Sequence, residues 1–337
     1  MKEALHWESG NEGVVRCRLC PHGCSIEPGK TGICGVRQNY EGRLYSENYG
    51  KVTSIGLDPV EKKPLFHFHP GGLLLSIGTY GCNLKCKFCQ NWQISQMKPP
   101  YYVYTSEEIV EIALLQQKTY PNCVGIAYTY NEPTVWYEFV LECAQLAKSK
   151  GLSNVLVSNG YISPEPLDDL LPFVDAMNID VKAWDDEFYR RMVSGRIEPV
   201  LRTVEEALSS GTWVEVTYLV IPGENDSDED VRGVARWLSG ISKEIPLHLS
   251  RFFPAYQLDL PPTPLSTLER LRDVAREDLH YVYIGNAVKK GYADTCCPNC
   301  GQVLLTRGGL ELEHAFLKER ACPTCGRELE FVGKIWI

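Results

Sequence analysis

Short apolar runs alternate with longer amphipathic stretches over most of the chain. The continuous apolar runs predict buried β-strands at 73–80, 123–130, 154–160, 174–182, 213–223, 246–254 and 281–286. Apolar positions with helical spacing between them predict helices at 106–118, 134–151, 164–171, 185–192, 199–209, 226–239 and 265–277. We expect Ser106 to cap the first of these helices and Gly151 to end the second. Strands that alternate with helices indicate an α/β fold with a parallel sheet, and six or seven such units predict a partial or full TIM-like barrel.

Both ends of the chain depart from this alternation. Residues 14–40 are rich in turn residues, and residues 41–71 predict a short hairpin followed by an irregular connector. The last 45 residues contain two Cys-Pro-x-Cys-Gly motifs, with a hairpin between them that turns at Gly308 and Gly309. The sequence therefore predicts a Cys-rich N-terminal segment (1–70), a barrel core (71–292) and a C-terminal metal-knuckle domain (293–337).

Polar residues follow the predicted strands one after another, at the strand ends where β/α barrels carry their functional groups. Any one of them could be an ordinary turn or cap residue, but their recurrence favours a shared pocket. The residues are Tyr130, Asn131, Glu132, Ser158, Asn159, Asp180, Lys182, Asn225, Asp226, Arg251 and Asn286.

Composition narrows the class of protein. The 337 residues carry a net charge of −9, which argues against non-specific binding of nucleic acid through its phosphates. No apolar run in the first ten residues looks like a signal peptide, and no window suggests a membrane span, so we expect a cytoplasmic protein. Fourteen cysteines in such a chain indicate metal ligands rather than disulfides. Cys123 and Cys143 stand alone in apolar patterns and are expected to be buried small side chains.

Three cysteines, Cys82, Cys86 and Cys89, follow the first predicted strand with C-x3-C-x2-C spacing. An iron–sulfur cluster normally takes four cysteine thiolates. Three thiolates on a four-iron cluster leave one iron open, as catalytic metal sites do for substrate or cofactor. A zinc loop or buried thiols are the competing interpretations.

The stretch CNLKCKFC, with the aromatic Phe88 before its last cysteine, resembles the signature of the radical S-adenosylmethionine (radical SAM) enzymes. The resemblance covers about residues 70–290. It implies a [4Fe-4S] cluster on the three cysteines and SAM bound to the open iron. It also implies reductive cleavage of SAM to a carbon radical, expected to be 5′-deoxyadenosyl, that acts on a substrate the sequence does not identify. A reductant such as flavodoxin or ferredoxin would supply the electron.

Further positions resemble the branch that contains the activating enzymes of glycyl-radical proteins. TYNEP (129–133) lies where that branch has Gly-Gly-Glu, so only Glu132 matches it side chain for side chain. VSNG and NIDVK imply that Asn159, Asp180 and Lys182 lie near SAM, with Lys182 pairing with its carboxylate. Other expected cofactor-binding residues are Phe88, Tyr130, Asn131, Ser158 and Arg251.

Nearly the whole chain is similar to the radical SAM member of the AmmeMemoRadiSam system. The similarity lies in the segments RCRLCPHGCSIEPGKTGICGVRQN, DPVEKKPLFHFHPG and HLSRFFPAY and in the paired knuckles. That similarity implies Memo-type and AMMECR-type proteins as partners. Two alternatives stay open: an activating enzyme that forms a glycyl radical on a partner protein, and a non-catalytic metal-binding scaffold for such partners.

Two outer groups of cysteines predict further metal sites. Cys297, Cys300, Cys322 and Cys325 have the spacing of a zinc ribbon or rubredoxin-like site for zinc or iron, with Cys296 outside it unless the register shifts by one residue. The second group could hold zinc or a second cluster, or remain as reduced thiols; it comprises Cys17, Cys20, Cys24 and Cys34. His67 and His69 are expected on an extended segment, exposed or near the cluster or substrate.

Overall fold

An eight-stranded sheet forms the centre of the protein in a computed structural model that describes residues 1–337. Its strands are Ser54–Pro59, Leu73–Gly78, Cys123–Tyr128, Ser153–Ser158, Ala176–Asp180, Trp213–Val220, Leu247–Arg251 and Val282–Gly285. They lie side by side in chain order, and the last seven are parallel to one another. The first and last strands do not pair with each other. The predicted parallel α/β core is confirmed, and the sheet is open rather than closed into a full barrel.

Helices join the parallel strands, as predicted. The α-helices are Trp92–Ser95, Ser106–Thr119, Tyr137–Ser149, Pro164–Leu170, Asp186–Phe188, Glu198–Ser209, Asp228–Ile241 and Leu265–Ala275. A π-helix at Tyr189–Val193 and 3-10 turns at Asn11–Gly13, Val60–Lys62, Pro133–Trp136 and Leu171–Phe173 complete the set. The predicted cap at Ser106 is wrong by one residue, because Thr105 accepts the Glu108 N–H and completes a capping box. No helix has the length and apolar character needed to cross a membrane.

The segment before the first parallel strand contributes more structure than its sequence indicates. Ser54–Pro59, expected in an irregular connector, pairs antiparallel with Leu73–Gly78 along the edge of the sheet. The predicted hairpin lies slightly earlier and pairs Arg37–Tyr40 with Arg43–Ser46, with Lys2–Glu3 beside it. A second small sheet contains Trp7–Ser9, Val15–Cys17 and Ser25–Ile26.

A buried ion pair ties this N-terminal segment to the core. Arg37 Nη1 lies 2.7 Å from Glu138 Oε1, on the helix Tyr137–Ser149, and both side chains are almost fully buried. Breaking such a pair by removing one partner typically costs about 3–5 kcal/mol, because the other charge is left buried. The N-terminal segment is therefore an integral part of the fold.

The C-terminal region packs against the amino ends of the parallel strands. It contains the strands Thr295–Cys296, Val303–Gly308 and Glu311–Ala315, and the last two form the predicted hairpin. Val332 and Trp336 pack with Trp213, at the start of its strand. Because functional loops follow the carboxyl ends of the strands, this region lies at the opposite end of the sheet.

His67 differs from both expectations, since it is fully buried beneath the C-terminal tail. Its Nδ1 lies 3.0 Å from the Glu330 carbonyl oxygen, and its Nε2 lies 2.7 Å from the Tyr283 hydroxyl. A carbonyl can only accept, so Nδ1 carries a proton. Burial favours the neutral ring, and in that form Nε2 accepts from the Tyr283 hydroxyl.

Acid is expected to destabilise the protein through His67. Burial lowers the pKa of His67 from 6.5 to about 4, so between these values the unfolded chain binds more protons than the folded one. Stability should fall by about 2 kcal/mol from pH 7 to pH 5 on this account. Urea unfolding at the two pH values should show a smaller difference for His67→Phe than for the wild type. A His314→Gln variant, changed at an exposed histidine, should keep the full difference; equal pH dependence in all three proteins would contradict the assignment.

Candidate active site

The cysteine loop, defined here as residues 79–91, leaves the carboxyl end of the first parallel strand. Gly81 within it has φ +93°, in the region that favours glycine. A Cβ at this position would lie 2.6 Å from Val36 Cγ1 and 2.9 Å from the Cys34 carbonyl oxygen. Glycine is therefore needed both for the turn and for the close approach of the N-terminal segment.

Segments that follow other strands hold the cysteine loop in place. The Asn131 side chain accepts from the Thr79 N–H at 3.0 Å and donates to the Gly81 carbonyl oxygen at 2.9 Å. The Lys87 N–H donates to the Met192 carbonyl oxygen, and the Lys87 carbonyl oxygen accepts from the Gln257 N–H. The loop thus lies where several strand ends converge.

Hydrogen-bond donors surround two of the three loop sulfurs. Cys82 Sγ accepts from the Leu84 N–H at 3.4 Å and from Asn159 Nδ2 at 3.6 Å. Cys89 Sγ lies 3.1 Å from the Ser95 hydroxyl oxygen. Donors of this kind stabilise the thiolate form and tune the potential of an iron–sulfur cluster.

A lysine–aspartate pair lies beside the third sulfur. Lys182 Nζ is 3.0 Å from Asp180 Oδ2, and the Lys182 side chain is only 13% exposed. Burial acts to lower the pKa of Lys182, but Asp180 and Cys86 outweigh it, so this pKa lies above its usual value. Burial raises the pKa of Cys86 to about 12, although the nearby Lys182 charge opposes the shift. Lys182 is therefore a fixed cation next to the cysteine loop.

Glu132 joins the ends of two neighbouring strands. One carboxylate oxygen accepts from the Thr134 N–H at 3.0 Å and from the Ser158 hydroxyl at 2.8 Å. The other accepts from the Asn159 N–H at 2.8 Å. Burial raises the pKa of Glu132, while these hydrogen bonds act in the opposite direction. The carboxylate therefore fixes the position of Asn159, which in turn contacts Cys82.

Three expected cofactor-binding residues take no part in these hydrogen bonds. The Tyr130 hydroxyl donates to Asp58 Oδ2 at 2.6 Å, which turns this side chain over the antiparallel edge strand. Arg251 Nε donates to the Thr263 carbonyl oxygen at 2.8 Å. Phe88 is buried against Phe188, with ring centroids 6.1 Å apart.

Sequence reasoning missed Asn83, which is buried at the centre of the site. Its side chain donates to the Tyr161 carbonyl oxygen at 2.6 Å and accepts from Asn159 Nδ2 at 2.9 Å. Its own carbonyl oxygen lies 2.8 Å from His22 Nε2. Its place directly after Cys82 was the only available signal, because the motif constrains the cysteines and not the residues between them.

The cysteine loop suits a cluster better than a single ion. Cys82, Cys86 and Cys89 lie on one loop beside a buried cation, with donors at two sulfurs. Their three sulfurs do not all lie within 4.8 Å of one another, as the ligands of a single ion would. A wider spacing is expected when each cysteine binds a different iron.

The four C-terminal cysteines have the tighter arrangement. The sulfurs of Cys297 and Cys325 are 3.5 Å apart, and those of Cys300 and Cys322 are 3.6 Å apart. All four ligand atoms lie within 4.8 Å of one another, and Cys296 is outside the group. This group could hold a single metal ion.

Residues 76–237, which include the cysteine loop, Glu132, Asn159 and the Asp180–Lys182 pair, match the radical SAM superfamily. The chain belongs to this superfamily. It is therefore a radical SAM enzyme, and an iron–sulfur cluster and SAM are the cofactors of its family.

Relatives of this radical SAM chain include an uncharacterized protein of Methanocaldococcus jannaschii, 44% identical over 340 residues, covering 98% of this chain and 100% of the relative. The pyruvate formate-lyase-activating enzyme of Clostridium pasteurianum is 25% identical over 179 residues, covering 50% of this chain and 71% of the relative. A radical SAM methyltransferase structure from Sphaerobacter thermophilus, at 20% identity, covers 70% of this chain and 71% of its own with a TM-score of 0.50. That last likeness concerns the fold alone.

Proposed function

We propose that the chain cleaves SAM reductively at a [4Fe-4S] cluster held by Cys82, Cys86 and Cys89, and directs the resulting carbon radical at a substrate. The observation that carries this proposal is the convergence of Glu132, Asn159 and the Asp180–Lys182 pair on the cysteine loop. When bound, the cluster supplies the electron that breaks a bond of SAM, and the expected product is the 5′-deoxyadenosyl radical.

The chain's own residues have distinct roles in this proposal. Lys182 is the cation available for the SAM carboxylate, because its charge is fixed by Asp180. Glu132 positions Asn159, which contacts Cys82. Glu132 also matches the glutamate of the family segment Gly-Gly-Glu, which holds the SAM amino group, and is the acceptor proposed for that group. Tyr130 and Arg251 have other partners, so we assign them no direct contact with SAM.

The C-terminal cysteines are proposed to hold a structural zinc ion. Four closely spaced thiols match tetrahedral coordination, and zinc is the usual metal of such sites. Their module packs at the end of the sheet opposite the cysteine loop, so we do not propose it as the electron donor. A flavodoxin or ferredoxin is the proposed reductant.

A cytoplasmic location is part of the proposal. Its support is that thiolate-bound clusters need reduced cysteines, which the cytoplasm maintains. Memo-type and AMMECR-type proteins are proposed partners on the strength of the whole-chain resemblance.

SAM cleavage by the protein tests the central proposal. The protein is reconstituted anaerobically with iron and sulfide, reduced with dithionite and incubated with SAM, and 5′-deoxyadenosine and methionine are measured by chromatography. Both products are expected from the wild type and should be lost when Cys82, Cys86 and Cys89 are all replaced by alanine.

A Cys143→Ala variant is the matched control, because this cysteine is buried in a helix and outside every proposed site. It should retain cleavage. A cluster that forms without cleaving SAM would contradict the unassisted reaction proposed here. A colourless wild-type protein would instead favour the non-catalytic scaffold.

A second candidate is an activating enzyme that forms a glycyl radical on a partner protein. Similarity to a pyruvate formate-lyase-activating enzyme favours it, and the C-terminal module leaves the cysteine-loop end of the sheet uncovered. Adding proteins encoded beside this chain's gene to the cleavage reaction tests it. A glycyl radical detected by electron paramagnetic resonance (EPR) on the added protein would support this candidate.

A further inference from the structure

The N-terminal cysteines converge on one cavity next to the cysteine loop. Cys17, Cys20, Cys24 and Cys34 all line it, and the remaining wall is mainly apolar apart from His22 and Arg37. Gly32 borders the same space, where an added Cβ would lie 3.5 Å from Cys24 Sγ. Four thiols brought together from two turns, with little else that is polar, are the donor set of a thiolate-bound metal centre.

The backbone directly after one of these cysteines has the local geometry of the C-terminal knuckles. Gly35, directly after Cys34, has φ +77°, close to the +74° of Gly301 and Gly326, which directly follow Cys300 and Cys325. A positive φ after the cysteine allows the chain to turn around a bound metal.

A buried cation without enough partners faces the same cavity. Arg37 is 1% exposed, and although its Nη1 pairs with Glu138, its Nε and Nη2 have no hydrogen-bond partner. An unpartnered buried donor is costly. Thiolates on Cys17 and Cys34, which line the same cavity as Arg37, would supply the missing negative charge.

The spacing of the sulfurs distinguishes a cluster from a single ion. The C-terminal group shows the single-ion arrangement in this same chain, with all four ligand atoms within 4.8 Å of one another. The N-terminal sulfurs line a shared cavity, but they do not all lie within 4.8 Å of one another. The three sulfurs of the cysteine loop do not have the single-ion arrangement either. We propose that Cys17, Cys20, Cys24 and Cys34 hold a second iron–sulfur cluster, coordinated by four cysteines and therefore closed to SAM.

This second cluster would lie next to the SAM-binding site. The Cys34 carbonyl oxygen and Val36 approach Gly81, and His22 contacts the carbonyl oxygen of Asn83. The position suits transfer of one electron from a reduced flavodoxin or ferredoxin, through the N-terminal cluster, to the cluster on the cysteine loop. This electron-transfer role rests on the proposed function, whereas the presence of the cluster does not.

Acid-labile sulfide tests the proposal, because sulfide is part of a cluster and not of a zinc site. The full-length Cys82, Cys86, Cys89→Ala triple variant is reconstituted with iron and sulfide. It should retain about two or four sulfides per chain, according to the cluster type, and show an EPR signal after reduction. Adding Cys20→Ser and Cys24→Ser should remove both, whereas adding Cys143→Ala should remove neither.

The wild type provides a second measurement should these variants fail to fold. Its reduced EPR spectrum should contain two signals, of which only one changes when SAM is added. No sulfide in a folded triple variant, or a second zinc ion per chain in its place, would overturn the proposal. Because the triple variant lacks the SAM-binding cysteines, its result does not depend on whether the wild type cleaves SAM.

Discussion

A Lys182→Met variant is expected to assemble the cluster on the cysteine loop but to bind SAM about tenfold to hundredfold less tightly. Lys182 is largely buried, and its pairing with Asp180 keeps it protonated. A hydrogen bond from a charged donor contributes about 1.5–3 kcal/mol, which corresponds to about that change in Kd. Methionine is chosen because it keeps most of the side-chain volume while removing the charge.

Titration of SAM into the reconstituted variant gives the Kd, and iron and sulfide analysis shows whether the cluster is intact. Lys98→Met is the matched control, because this lysine is 57% exposed and should leave SAM affinity unchanged. An intact cluster with wild-type affinity would exclude Lys182 as the carboxylate partner. Loss of the cluster itself would show that Lys182 chiefly stabilises the thiolate of Cys86.

The parallel strands were predictable because both faces of each are buried. Such strands read as continuous apolar runs, and Cys123–Tyr128 is buried at every position. Ser54–Pro59 escaped prediction because it lies at the edge of the sheet, with only Asp58 buried and with Gly56 and Pro59 among its six residues. Its place is fixed by pairing with Leu73–Gly78, which a local pattern does not encode.

The sequence predicted which residues belong to the candidate site better than it predicted the contacts of their side chains. Ligand spacing selected Cys82, Cys86 and Cys89 as candidate ligands, and the rule for strand ends grouped Glu132 with Lys182. Side-chain directions were not predictable. Tyr130 takes a positive φ of +74°, and its ring lies over the edge strand that the sequence did not indicate.

The prediction for His67 was wrong because a segment distant in sequence buries it. A polar residue in an alternating pattern has the same local sequence whether it is exposed or covered by another segment. The segment that covers His67 includes Glu330, 263 residues along the chain. A hydrogen bond over that separation depends on where the C-terminal module docks, and periodicity carries no information about docking.

Removing the metal proposed for the four C-terminal cysteines is expected to destabilise the whole chain by several kcal/mol, not only the last 45 residues. The cysteines contribute directly to a small core in which Cys297 and Cys322 pack with Leu304, Leu305 and Phe331. Structural zinc sites bind with about 10–16 kcal/mol of free energy, which becomes folding free energy for the module that forms the site.

The effect should spread through Arg307, which reaches from the module into the main core. Its Nη2 donates to the Phe66 carbonyl oxygen at 2.8 Å, and its Nε lies 3.5 Å from Glu61, with both charged side chains fully buried. Burial raises the pKa of Glu61, and Arg307 is the charge that opposes this shift. If the module unfolds, Glu61 loses its cation, and an orphaned buried charge costs about 3–5 kcal/mol.

Urea unfolding of a Cys322→Ser, Cys325→Ser double variant measures the effect, with Cys296→Ser as the control because this neighbouring cysteine lies outside the ligand group. The double variant should lose metal and unfold at a lower urea concentration, whereas the control should do neither.

SAM cleavage by the double variant, measured below the unfolding transition, should persist, since the module packs at the far end of the sheet from the cysteine loop. Unchanged stability without metal would mean that the hydrophobic contacts of the module suffice. Lost cleavage in a folded double variant would instead place these four cysteines in the reaction, against the structural role proposed for them.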